Sequence, residues 1–233
     1  MSARAGRDSL VANEWFRELP DEVVAALSAR ARPRRLVDGE RLYARGDPPQ
    51  GFYGVVSGRI RLTAVAPDGR ELIVAIHEPG NWFGEVTLFD GRERLQDAHA
   101  DGDTELLCIA RADFEAWLSG NSELYPHFTR MLCRKLRMAI EFAEDLMFRP
   151  LSARLAKRLL ALLHAYGQPA DGGTLINLHL PQDDLARMVG ATRQSVSREL
   201  KRWEAAGVLG VAYGRITVRD ATVLEDEAAR SAP

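Results

Sequence analysis

The stretch TRQSVSRELKRWEAAG, which begins at Thr192, holds the densest run of side chains able to recognise another molecule. Read as a helix, Val196, Leu200 and Trp203 recur at i, i+4 and i+7 and form an apolar inner stripe. The outer face then begins with Arg193, Gln194, Ser197 and Arg198, at the helix N-terminus. An arginine can hold guanine O6 and N7 bidentately, and a glutamine can hold adenine N6 and N7. The hydroxyls of Thr192 and Ser195, with the first backbone amides, suit phosphate oxygens. Lys201 and Arg202 add an attraction that is independent of base sequence and weakens with salt. Taken alone, the helix is equally readable as a solvated charged face, because Glu199 and Glu204 are interleaved with the cations.

The neighbouring elements decide between these readings. Residues 181–189 pattern as a helix, Gly190-Ala191 makes a tight break, and Thr192 is a good N-cap for a helix over 193–206 that Gly207 ends. Residues 208–212 and 215–218 then flank Tyr213-Gly214 as a hairpin. Helix, short glycine turn, second helix and hairpin is the order of a winged helix-turn-helix. Upstream, residues 151–166 are an amphipathic helix with Lys157 and Arg158 on its polar side and Gly167 as its stop. Gly172-Gly173 is a turn, and a strand is expected over 174–180.

Residues 34–109 read differently, as short β segments separated by turn residues. Asp38-Gly39, Gly46-Asp47-Pro48-Pro49, Ser57-Gly58, Pro67-Asp68-Gly69 and Pro79-Gly80 mark turns, with strands expected over 52–56, 59–64 and 72–76. Asp68-Gly69 between two such runs signals a hairpin. Regular short strands of this kind argue for a β-sandwich or β-roll, with a short helix before it (21–30) and another after it (111–118). Residues 122–148 contain no glycine, and their one proline, Pro126, lies near the start, as a long helix requires. Leu132, Leu136, Ala139, Ala143 and Leu146 follow a 4-3-4-3 spacing, an a/d seam. A second stripe, Phe128, Met131, Met138 and Phe142, is suited to packing on the β region. From periodicity alone, the seam is either one side of a singly buried helix or a parallel dimer contact.

Composition bounds the rest. The chain has 233 residues, 46% hydrophobic and 27% charged, with a formal net charge of -2, so any basic surface must be local. Cys108 and Cys133 sit among apolar residues with no CxxC or Cys/His partner, which reads as two small buried hydrophobes and no disulfide. The N-terminal residues lack the apolar core of a signal peptide, and no run is long enough to cross a bilayer; a cytoplasmic protein with a mobile tail over residues 1–12 is expected. His77, His99, His127, His164 and His179 show no ligand spacing, so no metal site is expected and a haem ligand is not evident. No catalytic set is visible either, which argues against an enzyme built on a cupin-like roll.

The chain resembles the CRP/FNR family of bacterial regulators over nearly its whole length. The resemblance rests on Gly46-Asp47, Phe52-Tyr53, Ser57-Gly58-Arg59-Ile60 and PGNWFGE from Pro79 to Glu85, then on DDLARMVGATRQSVSRELKRWEAAGVL. It implies an α+β fold: an N-terminal antiparallel, jelly-roll-like β-roll over 1–120, a central dimerisation helix over 121–149 and a winged helix-turn-helix over 150–233. It makes Leu132, Leu136, Ala139, Ala143 and Leu146 the dimer contact, and puts Arg193, Gln194 and Arg198 at the family's three base-reading positions. Gln194 stands where the cAMP-responsive branch commonly has Glu. The implied partners are a second copy of the chain, double-stranded DNA with two-fold symmetry and RNA polymerase, with no membrane.

The same resemblance locates an effector pocket at Gly84, Glu85, Arg94, Leu95, Ala139 and Ile140. In cAMP-binding members a Glu holds the ribose, an Arg followed by Ser or Thr holds the cyclic phosphate, and a Thr-Ser pair on the long helix meets the adenine. Here Glu85 and Arg94 are present, but Leu95 replaces the hydroxyl residue, Asp97 adds a negative charge, and Ala139-Ile140 cannot hydrogen-bond a base. These departures argue against tight cAMP binding. They leave cyclic di-GMP, another small molecule or no ligand, and they equally allow Glu85 and Arg94 to be a buried structural ion pair. The iron–sulfur branch carries an N-terminal cysteine cluster, and this chain has no cysteine before Cys108. A hinge is expected over 148–152. The competing reading is a cyclic-nucleotide-binding-type adaptor whose winged helix contacts protein.

Overall fold

The computed structural model describes residues 19–230. The tail expected over residues 1–12 lies outside them. The chain divides into two compact units, with the boundary between Lys135 and Leu136.

In the first unit, α1 (Asp21–Arg30) leads into β1 (Arg32–Leu36), β2 (Arg41–Tyr43), β3 (Gly51–Val65), β4 (Glu71–His77) and β5 (Trp82–Phe83). Then come α2 (Glu85–Asp90), β6 (Asp97–Ala110) and α3 (Arg111–Ser119). The strands form one antiparallel sheet with the order β1-β6-β3-β4; β2 pairs with β6, and β5 with β3. Alternation along β3 sends adjacent aromatics into different cores. Phe52 packs with Trp82, Phe114 and Leu27 in one, while Tyr53 packs with Phe83, Ile60 and Leu62 in the other. The turn at Pro67-Asp68-Gly69 joins β3 to β4 as expected, with the Ala66 N–H donating to the Arg70 carbonyl at 2.8 Å.

Ser57-Gly58 is not a turn. β3 runs through it as one strand, and its register with β6 shifts on either side of Ser57. Gly58 has φ +72°, and a Cβ there would lie 2.4 Å from the Asp103 carbonyl oxygen, so the glycine serves an irregularity inside a strand.

A 3-10 turn (Ser122–Leu124) precedes the long helix α4 (Tyr125–Phe148, 24 residues). Phe128 and Met131 are buried with Phe52, Phe114 and Trp117, and Phe128 meets Phe114 edge-on at 5.4 Å. The second stripe stops there: Met138 is 68% exposed and Phe142 only partly buried, because the roll's aromatic core ends at the first turns of α4. Cys133 is exposed and Cys108 half-buried, so neither is the fully buried hydrophobe expected; Cys133 lies on the side of α4 away from Phe128 and Met131.

In the second unit, α5 (Leu151–Tyr166) is followed by β7 (Gly167–Ala170), β8 (Gly173–Ile176), α6 (Gln182–Val189), α7 (Arg193–Ala205), β9 (Leu209–Ala212), β10 (Arg215–Val218) and α8 (Ala221–Ala228). The strands pair in the order β7-β8-β10-β9, all antiparallel. The strand expected over 174–180 ends at Ile176. Beyond it the Leu180 N–H turns to the Gly214 carbonyl in the β9–β10 turn at 2.6 Å, which takes the chain off the sheet. Gly167 ends α5 with φ -64°, leaving the helix directly into β7 rather than through a left-handed cap. Neither β7 nor α8 was expected from the sequence. Among the described residues no helix is long and apolar enough to cross a membrane, and no three His, Cys, Asp or Glu residues gather as a metal site.

Candidate nucleic-acid interface and effector pocket

Gly190 closes α6 in the left-handed region (φ +63°), and two residues later Thr192 caps α7 by accepting the Ser195 N–H at 3.2 Å. The two hydroxyls of Thr192 and Ser195 lie 2.9 Å apart. Val196, Leu200 and Trp203 are fully buried, as their spacing predicts. This rotation leaves Arg193, Gln194, Arg198 and Lys201 exposed and Ser197 half-buried on one face. Arg193 sits 3.7 Å from Asp183 of α6, an exposed and weak contact. Arg202, at the edge of this face, is engaged elsewhere: it bonds Glu199 at 2.9 Å, reaches Glu227 of α8 at 3.4 Å and lies over the Trp203 ring. The β9–β10 turn has Tyr213 at φ +51° and Gly214 at φ +72°, and Tyr213 is 99% exposed.

In the first unit, β5 delivers the chain to Gly84, whose left-handed backbone (φ +97°) turns it into α2. A Cβ on Gly84 would lie 3.0 Å from both Arg94 Nη1 and the Gly51 carbonyl oxygen, so a side chain there would displace that arginine. Glu85, the first residue of α2, is 1% exposed. Its Oε1 accepts from Lys135 Nζ at 2.7 Å, and its Oε2 is buried with no hydrogen-bond partner. Arg94 is also buried. Nη1 donates to the Gly84 carbonyl (3.0 Å) and to Thr87 Oγ1 (2.7 Å), and Nη2 donates to the Gly51 carbonyl (2.8 Å). Its guanidinium carbon lies 4.5 Å from the Tyr43 ring centroid and 5.5 Å from that of Tyr53.

Glu85 and Arg94 therefore do not form the buried ion pair that was one reading of the sequence. Glu85 takes its cation from α4, and Arg94 bonds carbonyl groups and a hydroxyl through its terminal nitrogens and lies against two aromatic faces, with its buried Nε left without a hydrogen-bond partner. His77 stacks on Phe83 at 4.5 Å with the rings 7° apart; burial, assisted by the Lys135 ammonium and opposed by a hydrogen bond with Asn81, pushes its pKa down to about 3. Leu95 is 53% exposed, and the Asp97 carboxylate accepts the Arg45 N–H at 3.0 Å. Ala139 and Ile140 are exposed on α4, beyond the unit boundary.

Two protein-family descriptions match these regions: a cyclic nucleotide-binding domain over residues 33–121 and a Crp-like helix-turn-helix domain over 153–227. The cyclic AMP receptor protein of Thermus thermophilus is 34% identical over 207 residues, covering 89% of this chain and 92% of that protein. The chain belongs to the CRP/FNR family of transcription regulators. The CRP-like cAMP-activated global transcriptional regulator of Mycobacterium tuberculosis is 28% identical, covering 88% of this chain and 92% of that one. Among solved structures, FixK2 from Bradyrhizobium japonicum superposes with a TM-score of 0.75 at 26% identity, covering 87% of this chain and 99% of that one.

As a CRP/FNR regulator the chain carries its DNA-binding helix-turn-helix in the second unit and its cyclic-nucleotide-binding-type roll in the first. The family resemblance did not reveal Lys135. Its signal was nonetheless present: Phe128, Met131 and Lys135 recur at i, i+3 and i+7, so a cation continues the apolar stripe that anchors α4 on the roll. Nothing in the sequence pointed to Tyr43 and Tyr53 as the walls around Arg94. The segment expected as a hinge, residues 148–152, is cross-braced within the second unit. Asp145 accepts from Arg149 Nε (2.7 Å) and Lys157 Nζ (2.5 Å). Arg149 also donates to the Ala228 carbonyl at the end of α8, and Arg154 donates to the Arg149 carbonyl at 2.8 Å.

Proposed function

We propose that this regulator is a cytoplasmic homodimer that reads a two-fold symmetric operator through Arg193, Gln194, Ser197 and Arg198, and that it acts on transcription with RNA polymerase as partner. The observation that carries the reading is the exposed face of α7, where Arg198 and Lys201 stand with no ion partner among the described residues while the opposite stripe is buried. Thr192, Ser195 and Lys201 supply the phosphate contacts. Arg202 joins them only by giving up Glu199 and Glu227. Half-sites lie about one helical turn apart.

Dimerisation is supported by the uncovered seam. Leu136 is 60% exposed and Leu146 37%, with Ala139 and Ala143 exposed between them and Leu132 half-buried at the start. The effector pocket comprises Gly84, Glu85, Arg94 and Leu95 of the first unit; Ala139 and Ile140 are the positions that the family resemblance assigns to base contact. Of the two relatives above, one is described as cAMP-activated and the other as a cyclic AMP receptor protein. In this chain both terminal nitrogens of Arg94 are committed to protein oxygens and Leu95 offers no hydroxyl, so tight cAMP binding is not expected. An adaptor whose winged helix contacts protein has no comparable support.

Fluorescence anisotropy on a labelled fragment of the protein's own promoter tests the reading. Arg198→Ala is expected to cost about 1–3 kcal/mol of operator binding with the protein still folded. Undiminished affinity removes Arg198 from the recognition face.

A further inference from the structure

Phe128 and Met131 place the first turns of α4 on the roll, and Lys135, one further turn along the same face, ends 2.7 Å from Glu85. Glu85 lies on α2 and is 1% exposed, and among the described residues no other cation bonds it. A buried carboxylate left without its counter-ion is strongly destabilising, so the pair resists any movement that lifts Lys135 off the roll. Lys135 itself keeps 37% of its side chain exposed and bears little desolvation cost of its own. The chain thus connects the pocket helix to the long helix by itself. A small molecule shifts a conformational equilibrium only by binding one arrangement better than the other, chiefly through contacts it adds. A link from pocket to helix is a contact this chain already has. Arg94, the pocket's other cation, is fixed by three hydrogen bonds and two rings, so a phosphate gains it only by breaking them.

We infer that the Glu85–Lys135 pair replaces an effector: it holds the start of the long helix on the roll, and the protein reads its operator with no small molecule bound. This rests on the operator-reading function proposed above. The test uses full-length protein stripped of nucleotide, at concentrations where it is dimeric, and measures anisotropy on the promoter fragment. Wild type is expected to bind, with cAMP or cyclic di-GMP changing the dissociation constant less than two-fold. The double variant Glu85→Gln/Lys135→Met leaves no unpaired buried charge and is expected to lose at least ten-fold in affinity, while Lys135→Arg stays within about three-fold of wild type. Wild-type binding that requires a nucleotide, or a double variant that binds as wild type does, overturns the inference.

Amide hydrogen exchange over residues 132–139 of the nucleotide-free wild type gives a readout that depends on neither variant folding nor DNA. Protection without nucleotide supports the pair as the fixing element, and protection that appears only on adding nucleotide overturns it. If no DNA is bound under any condition, the operator-reading function fails, and the exchange result still decides whether the pair holds the helix.

Discussion

His77 shows how one half-buried side chain carries a measurable consequence. Its imidazole is neutral in the fold, with a pKa near 3 against an ordinary value of 6.5. Between those values the unfolded chain binds a proton that the native state refuses, so this contribution to stability is complete above pH 6.5 and is lost as pH falls toward 3. The ceiling is about 1.4 kcal/mol for each pH unit, and the residue's partial exposure keeps the real slope below it. Urea midpoints at pH 7 and pH 5 should show the wild type losing stability. His77→Phe, which keeps a ring on Phe83, should lose about 1 kcal/mol less over the same interval. Equal losses would show that His77 does not drive the acid sensitivity.

At the scale of elements, the β9–β10 hairpin sacrifices stability at its turn. Tyr213 is the one non-glycine residue at positive φ among the described residues, and the two-residue turn it forms with Gly214 favours Asn-Gly. At 99% exposure the Tyr213 ring contributes no packing, so the conformational cost is uncompensated within the chain. Tyr213→Asn should recover part of the roughly 1 kcal/mol of left-handed cost and raise the melting temperature of the isolated protein. A lower melting temperature would reveal a contact that the exposed ring makes elsewhere. The cross-bracing of Asp145, Arg149 and Lys157 shows a second property of elements. The helix break at Arg149-Pro150 reads as a joint, and three side chains and the C-terminal end of α8 make hydrogen bonds around it. Those contacts span up to 79 positions in sequence, so local reading could not anticipate them.

For the whole molecule, α4 leaves Leu136 and Leu146 exposed, and the dimer proposal gives that face a partner. The seam is only about two heptads long, so each apolar member matters. Leu136→Asp should leave the circular dichroism of the protomer unchanged, since Leu136 is already 60% exposed. It should also weaken dimerisation at least ten-fold by sedimentation, with operator binding falling alongside. A variant that dimerises as wild type does would place the contact off this seam.

What was legible in the sequence was local or periodic. The α7 stripe of Val196, Leu200 and Trp203, the Thr192 cap, the Asp68-Gly69 turn and the span of α5 each follow from steric and spacing rules acting over a few residues. Because the outer face of α7 is set by its inner face, the proposed reading residues were placed by the same rules. α8 was missed although Asp220 caps it by accepting the Thr222 N–H, a short-range signal that its acidic sequence obscured. Ser57-Gly58 was misread because a glycine at positive φ serves a turn and a strand irregularity alike, and only the approach of Asp103 and Thr104 distinguishes them. The partners of the two buried charges were decided by tertiary structure alone. Glu85 and Arg94 are both buried and each requires compensation, but which groups come within hydrogen-bond range depends on chain separated by tens of residues. Folding brought Lys135 to Glu85 and the Gly51 carbonyl to Arg94. The sequence by itself determined the family, most of the elements and the face of α7, because those depend on neighbours in the chain; the partners of the buried charges depend on neighbours in space.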